Sequence, residues 1–214
     1  MSYAVKERFL TLQGEGVHAG RRAVFVRFAG CNLWSGLERD RATAICQFCD
    51  TDFVGLDGEG GGRFDTAENL AKAAAETWAG DSESRFVVLT GGEPMLQVDQ
   101  ALIDALHAEG FFIAIESNGT LAVPRTIDWI CISPKAQSDT VQRSGDELKL
   151  VWPQTDSNWQ VMENWDFANL LLQPMDARGD DAASQANLEQ AIGFVQAHPK
   201  WRLSLQTHKI LGLA

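Results

Sequence analysis

The chain has 214 residues, enough for one well-buried domain, and its 45% hydrophobic and 22% charged residues fall in the ordinary globular range. Lys+Arg 18 against Asp+Glu 29 gives a formal net charge of −11, which disfavours a nucleic-acid partner because phosphate binding depends on many basic contacts. No apolar run approaches the roughly 20 residues of a membrane span, and the N-terminus lacks the layout of a secretory signal. A single cytoplasmic domain over residues 1–214 is therefore expected.

Taken in chain order, Glu7–Leu12 and Ala23–Ala29 read as strands joined by a Gly-rich turn. A polar insert follows from Asn32 to Ala44, and the Gly-rich run from Gly58 to Gly62 reads as a flexible loop. Asp65 then stands as a helix cap, with Glu68 placed for a capping box and the helix running to about Trp78. Arg85–Thr90 is a strand. Leu102, Ala105 and Leu106 mark the buried side of a second helix that stops at Gly110. Further strands are expected at Phe111–Glu116, Trp129–Ser133, Glu147–Val151, Asn169–Gln173 and Arg202–Thr207. Ser184 precedes a helix with Leu188, Ile192 and Val195 at helical spacing. The stretch Trp152–Phe167 fits neither period. Strands alternating with helices predict an α/β fold with right-handed crossovers, here an incomplete barrel of about six parallel strands behind an N-terminal extension.

Ligands in such sheets gather at the C-terminal strand ends. Those ends are unusually polar here: Thr90-Gly91-Gly92-Glu93, Glu116-Ser117-Asn118, Ser133-Pro134-Lys135, Lys149, Gln173 and Gln206-Thr207-His208. Six polar ends on one rim predict a pocket.

Three of the four cysteines, Cys31, Cys46 and Cys49, lie within 19 residues, while Cys131 sits inside an apolar strand and reads as core. A Cys-x2-Cys turn presents two thiolates to one centre and a third cysteine completes a set. Three ligands would leave one iron of a [4Fe–4S] cubane open. They fit a structural zinc site equally well, with His18, His107 or Asp50 as the fourth ligand. Thr90-Gly91-Gly92-Glu93-Pro94 is a βα turn whose glycines permit close backbone approach to a ligand.

With the three-cysteine loop and the partial barrel, that turn resembles the radical S-adenosylmethionine superfamily. The superfamily loop is usually Cys-x3-Cys-x2-Cys, whereas this chain has fourteen residues between Cys31 and Cys46. That wide gap, Leu12-Gln13-Gly14-Glu15-Gly16, Arg27 to Leu33, and Cys49-Asp50-Thr51 resemble the 7-carboxy-7-deazaguanine synthase family. The resemblance implies a [4Fe–4S] cluster, S-adenosylmethionine and Mg2+ as cofactors. It implies radical ring contraction of 6-carboxy-5,6,7,8-tetrahydropterin with loss of ammonia, in a homodimer reduced by an external donor such as a flavodoxin. Carried over residue by residue, Cys31, Cys46 and Cys49 would hold the cluster and Thr51 the Mg2+. Leu12, Gln13, Gly14, Glu15, Gly16, Arg27, Gly92, His208 and Ala214 would meet the substrate. Phe48, Asp50, Thr90, Gly91, Gly92, Glu116, Asn118, Ser133, Lys135 and Gln173 would meet S-adenosylmethionine. A glycyl-radical-enzyme activase, which shares the Gly-Gly-Glu segment, and a zinc-stabilised interaction module are the alternatives.

Overall fold

The computed structural model describes residues 2–213. Nine strands form one sheet: β1 (Tyr3–Leu12), β2 (Arg22–Phe28), β3 (Gly62–Phe64), β4 (Phe86–Gly91), β5 (Phe112–Ser117), β6 (Trp129–Ile132), β7 (Ser144–Trp152), β8 (Asp166–Pro174) and β9 (Trp201–Leu203). Their spatial order is β3-β1-β2-β4-β5-β6-β7-β8-β9. From β2 through β9 every neighbouring pair is parallel, whereas β1 runs antiparallel to β2 and β3 antiparallel to β1. The result is an open α/β sheet with seven parallel strands, the form of a partial barrel, extended at one edge by β1 from the N-terminal segment and by the short β3 that follows the cysteine loop.

The central strands form because their side chains are buried on both faces. Phe86, Val87, Val88 and Leu89 of β4 are all at 0% exposure, the continuous apolar pattern of a covered parallel strand. Helices α1 (Ala67–Trp78) and α2 (Gln100–Ala108) bring Leu70, Ala74, Leu102, Ile103 and Leu106 onto this half of the sheet. Burying each of the larger of these side chains contributes about 2 kcal/mol. The other half is covered by α4 (Asp181–Ala197), with Leu148, Leu150, Leu172, Ala191 and Trp201 in a second core cluster.

Several local expectations shift. Thr66, not Asp65, caps α1: its backbone is extended and its hydroxyl accepts from the Asn69 N–H at 3.2 Å. Asp180, not Ser184, caps α4 by accepting from the Ala183 N–H at 2.9 Å, and Ser184 lies inside the helix. The last strand stops at Leu203, because Thr207 turns into a short helix α5 (Thr207–Leu211). The Gly-rich run is not a loose loop. The Gly58 N–H donates to the Lys6 carbonyl at 3.0 Å, the Arg8 N–H donates to the Glu59 carbonyl at 2.6 Å, and a Cβ on Gly61 would collide with the Lys6 carbonyl oxygen. Glycine lets this segment press onto the β1 backbone and lead into β3. The unassigned Trp152–Phe167 stretch holds the one-turn helix α3 (Trp159–Met162), with Trp152 and Trp159 packed on Phe194 of α4 at 4.8 and 4.9 Å.

Candidate active site

A cavity of about 380 Å³ opens at the C-terminal ends of the parallel strands. It is lined by every described residue singled out above from the cluster, magnesium, substrate and cofactor sets, with the exception of Gly16. Ala214 lies outside the described residues. Gly16 lies behind the wall: its φ is +70°, its N–H donates to Ser204 Oγ at 3.0 Å, and a Cβ there would collide with the Glu147 carboxylate. It shapes the loop and does not face the cavity.

Cys31 follows the end of β2, and the long insert folds back on itself to deliver the other two cysteines. The Ile45 and Cys46 N–H groups both donate to the Leu33 carbonyl, at 3.1 and 3.3 Å, closing the loop at its base. Trp34 packs edge-on against Phe53 at 5.5 Å, and the Arg41 guanidinium lies 4.0 Å from the Trp34 ring centre. Arg41 Nη1 also donates to the Gln47 and Cys49 carbonyls at 2.9 and 3.1 Å, which fixes the Cys-x2-Cys turn. The Cys46 thiol donates to Cys49, holding the Cys49 thiol down at about 6 and pushing that of Cys46 up, while burial raises that of Cys31. Metal binds the thiolate form. Three cysteines facing one cavity suit a cluster with an open iron. Cys131 is 3% exposed and donates to Glu147 Oε1 at 3.5 Å, a core residue. Of the fourth ligands considered for zinc, His18 packs against Phe86, Phe112 and Trp129, and His107 pairs with Asp128 at 2.9 Å; only Asp50 faces the cavity.

The glycines of the Gly91-Gly92-Glu93-Pro94 turn have a more local reason than ligand approach. Gly91 has φ +141°, and a Cβ there would collide with the Phe28 backbone; one on Gly92 would collide with the Gly30 carbonyl and crowd Cys31. The turn is thus pressed onto the strand that launches the cluster loop, sealed by the Glu93 N–H donating to the Gly30 carbonyl at 3.0 Å. Glu93 is fully buried and faces inward. Its carboxylate accepts from the Met95 N–H at 2.9 Å, the Ser117 hydroxyl at 2.8 Å and the Asn118 N–H at 2.8 Å, locking the ends of β4 and β5 together.

On the opposite wall, Lys149 was visible in the sequence only as one polar strand end. It is 3% exposed, and its Nζ lies 2.6 Å from Glu15 Oε2 and 2.9 Å from Glu116 Oε2. Gln13 Nε2 donates to Glu116 Oε1 at 2.8 Å, and Gln206 Nε2 donates to Glu15 Oε1 at 2.9 Å. Burial would raise the Glu15 carboxyl, but the Lys149 charge and these hydrogen bonds overcome it and hold it at about 2. Burial likewise opposes the Lys149 charge, and the two carboxylates outweigh it. One buried cation therefore ties the Gln13–Gly16 loop to the end of β5. No periodicity signals this, because the partners come from three distant segments.

Arg27 both faces the cavity and forms the strand-face ion pair that its position allows, with Nε 2.7 Å from Glu7 Oε1. Glu7 escaped the sequence reading; it orients the guanidinium from the neighbouring strand. The His208 ring occupies the space that a Gly14 side chain would fill, which accounts for glycine in that loop. Just beyond β6, Lys135 Nζ donates to the Ser133 carbonyl and hydroxyl at 2.6 and 2.7 Å. The Asn118 side chain bridges Asn32 and Thr120, and Gln173 accepts from the Ser204 hydroxyl at 3.2 Å. Leu12, Phe48, Asp50, Thr51 and Thr90 complete the walls.

Residues 40–142 match the family model described as the Radical SAM superfamily, a span that begins after Cys31. The 7-carboxy-7-deazaguanine synthase of Caulobacter vibrioides is 58% identical, and that of Bradyrhizobium diazoefficiens 59% identical, each over the full length of both chains. The same enzyme of Bacteroides thetaiotaomicron is 38% identical over full length. A crystal structure of QueE from Escherichia coli superposes with a TM-score of 0.70 at 26% identity, covering 97% of this chain and 95% of that one. A cavity lined by three cysteines and by the Gln13–Glu15 loop, together with these full-length likenesses, leads to one conclusion: the chain belongs to the 7-carboxy-7-deazaguanine synthase family of radical S-adenosylmethionine enzymes.

Proposed function

We propose that this protein contracts the ring of 6-carboxy-5,6,7,8-tetrahydropterin to 7-carboxy-7-deazaguanine with loss of ammonia, a carbon–nitrogen lyase reaction of deazapurine and queuosine biosynthesis. The observation that carries this reading is the single cavity shared by Cys31, Cys46, Cys49 and the Gln13–Glu15 loop, in a chain 58% identical to a synthase of that name. When bound, a [4Fe–4S] cluster on the three cysteines would supply the electron that cleaves S-adenosylmethionine and starts radical chemistry.

The residues of the chain position and shield. Arg27, pre-oriented by Glu7 through Nε, offers its Nη edge to the substrate carboxylate. Gln13 and Glu15 present an amide and a carboxylate that match the donor and acceptor edge of a pterin. Glu15 stays ionised because Lys149 lies against it. Lys135, steadied by Ser133, faces the cavity as a cation for the cofactor carboxylate, while Thr90, Gly92, Glu116, Asn118 and Gln173 form the remainder of that side. Thr51, a hard oxygen donor on the cavity wall, would hold Mg2+, which would help to bind the substrate carboxylate. His208, on the cavity wall against Gly14, would meet the substrate. The acting form is a homodimer, reduced by an external donor such as a flavodoxin.

Anaerobic incubation of the reconstituted protein with tetrahydropterin, S-adenosylmethionine, Mg2+ and dithionite tests the reading. Formation of the deazapurine supports it, and reductive cleavage of S-adenosylmethionine without deazapurine overturns the substrate assignment. An electron paramagnetic spectrum of the reduced cluster that is unaltered by S-adenosylmethionine would overturn the open-iron assignment.

A further inference from the structure

Helix α5 is five residues long and has no buried side chain; Ile210 and Leu211 are 71% and 64% exposed. Apolar burial therefore cannot hold it at the cavity mouth, and polar contacts must. Its start is fastened by Thr207, whose N–H and hydroxyl both donate to the Gly14 carbonyl at 2.8 and 2.9 Å. Its far side is fastened through one side chain. Lys209 Nζ lies 2.6 Å from Asp50 Oδ2, beside Cys49, and 2.5 Å from Asp176 Oδ2, just beyond β8. Asp176 is itself set by the Arg178 N–H, which donates to its Oδ1 at 2.8 Å. All three side chains line the cavity and are about one-third exposed.

We propose that Lys209 is a positioning residue that latches α5 over the cavity, tying the cysteine loop to the end of β8 and so holding His208 against Gly14. The inference rests on the reading of this cavity as the pterin site and adds the device that keeps it closed. An isolated surface ion pair would contribute little. Here one ammonium joins segments 159 and 33 residues away from it, on a helix whose other described anchors all lie at its first turn or before it. Because the contact is partly solvated, salt weakens it, so closure should depend on ionic strength.

Amide hydrogen exchange of the cluster-containing protein, with no substrate added, reads the latch directly. In Lys209→Met the peptide covering residues 206–213 should exchange about fivefold faster, the factor expected from losing a small share of stability. Asp176→Asn should move it in the same direction, and Lys209→Arg should restore most of the protection. In turnover, Lys209→Met should raise KM for the tetrahydropterin by no more than that same factor of about five, while kcat at saturation stays within about twofold. Unchanged exchange in Lys209→Met overturns the latch. Faster exchange with unchanged KM overturns the positioning role. Exchange needs no turnover, so failure of the deazapurine reading in the wild-type protein would be separately visible.

Discussion

Replacing Lys149 by methionine tests the electrostatic centre of the site. The substitution keeps an unbranched side chain of similar length but removes the ammonium between Glu15 Oε2 at 2.6 Å and Glu116 Oε2 at 2.9 Å. Removing one partner of a buried ion pair costs about 3–5 kcal/mol, because an uncompensated charge stays behind. The depression of the Glu15 carboxyl expresses the same interaction, opposed by burial and shared with the Gln206 hydrogen bond. The fall from 4.5 to about 2 corresponds to about 3 kcal/mol of preference for the ionised form, at 1.36 kcal/mol per pH unit. The sign follows from that depression. The contribution is present above the unfolded value of 4.5 and is lost as pH falls toward about 2, so the wild-type protein retains it at pH 7. Lys149→Met should lack it already at pH 7 and melt about 6–12 °C lower, since 1 kcal/mol shifts a domain of this size by about 2–4 °C. Anaerobic calorimetry at pH 7 measures the shift. Adding Glu15→Gln to Lys149→Met should recover part of it, because one of the two stranded carboxylate charges is then gone and only that of Glu116 remains. A melting temperature within 2 °C of wild type, or strictly additive losses in the double variant, would refute the argument.

Cys31→Ala, Cys46→Ala and Cys49→Ala should each abolish retention of iron and sulfide, whereas Cys131→Ala should keep them; a metal assay on anaerobic preparations decides, and a full cluster in the Cys46 variant contradicts the ligand set. Arg27→Ala should raise KM for the tetrahydropterin by one to two orders of magnitude while S-adenosylmethionine cleavage continues, and Glu7→Gln, which only loosens the guanidinium, should have a smaller effect in the same direction. Gly91→Ala forces a side chain into the Phe28 backbone at φ +141°, so cluster content should drop although no ligand is changed; normal iron content would show that the strand contact is dispensable. Chelation of Mg2+ should slow turnover in the wild type and have less effect in Thr51→Ala; an undiminished wild-type rate would remove that metal site.

The parts of the site legible in the sequence share one property: each lies at a place the local pattern defines. The strand ends at Thr90, Glu116, Ser133 and Gln173 follow from apolar runs that stop at a polar residue, and the parallel topology then brings them to one rim. Period-2 patterning fixes which face a strand residue takes but says nothing about what it meets there. Lys149 therefore read as a polar strand end, although its two partners make it the counter-charge of the whole floor. Glu93 was legible as a turn residue and not as an interior clamp, because its three donors come from its own turn and from β5. The Gly-rich run misled for the opposite reason. Composition reports that glycine tolerates disorder, while the structure uses the missing side chain to bring two backbones together.

The fourteen-residue cysteine gap is the feature on which sequence distance and spatial distance diverge most. Lengthening a loop from three to fourteen residues costs only about 1.4 kcal/mol of closure entropy, since the cost grows with the logarithm of length. The insert offsets this with its own contacts. The Leu33 carbonyl accepts two N–H groups at the base, and Trp34 is driven to 8% exposure between Phe53 and Arg41. Burying an indole to that extent stabilises by about 2–3 kcal/mol, more than the closure term. Arg41 then converts the insert's position into that of the ligands, because the same guanidinium that covers Trp34 holds the Gln47 and Cys49 carbonyls. The long gap is thus a small packed unit whose rigidity reaches the Cys-x2-Cys turn through Arg41 and through Gln47, whose Nε2 donates to the Ala42 carbonyl at 3.1 Å. Trimming it to three residues would remove Trp34 and Arg41 together, and with them the contacts that keep Cys49 beside Cys46.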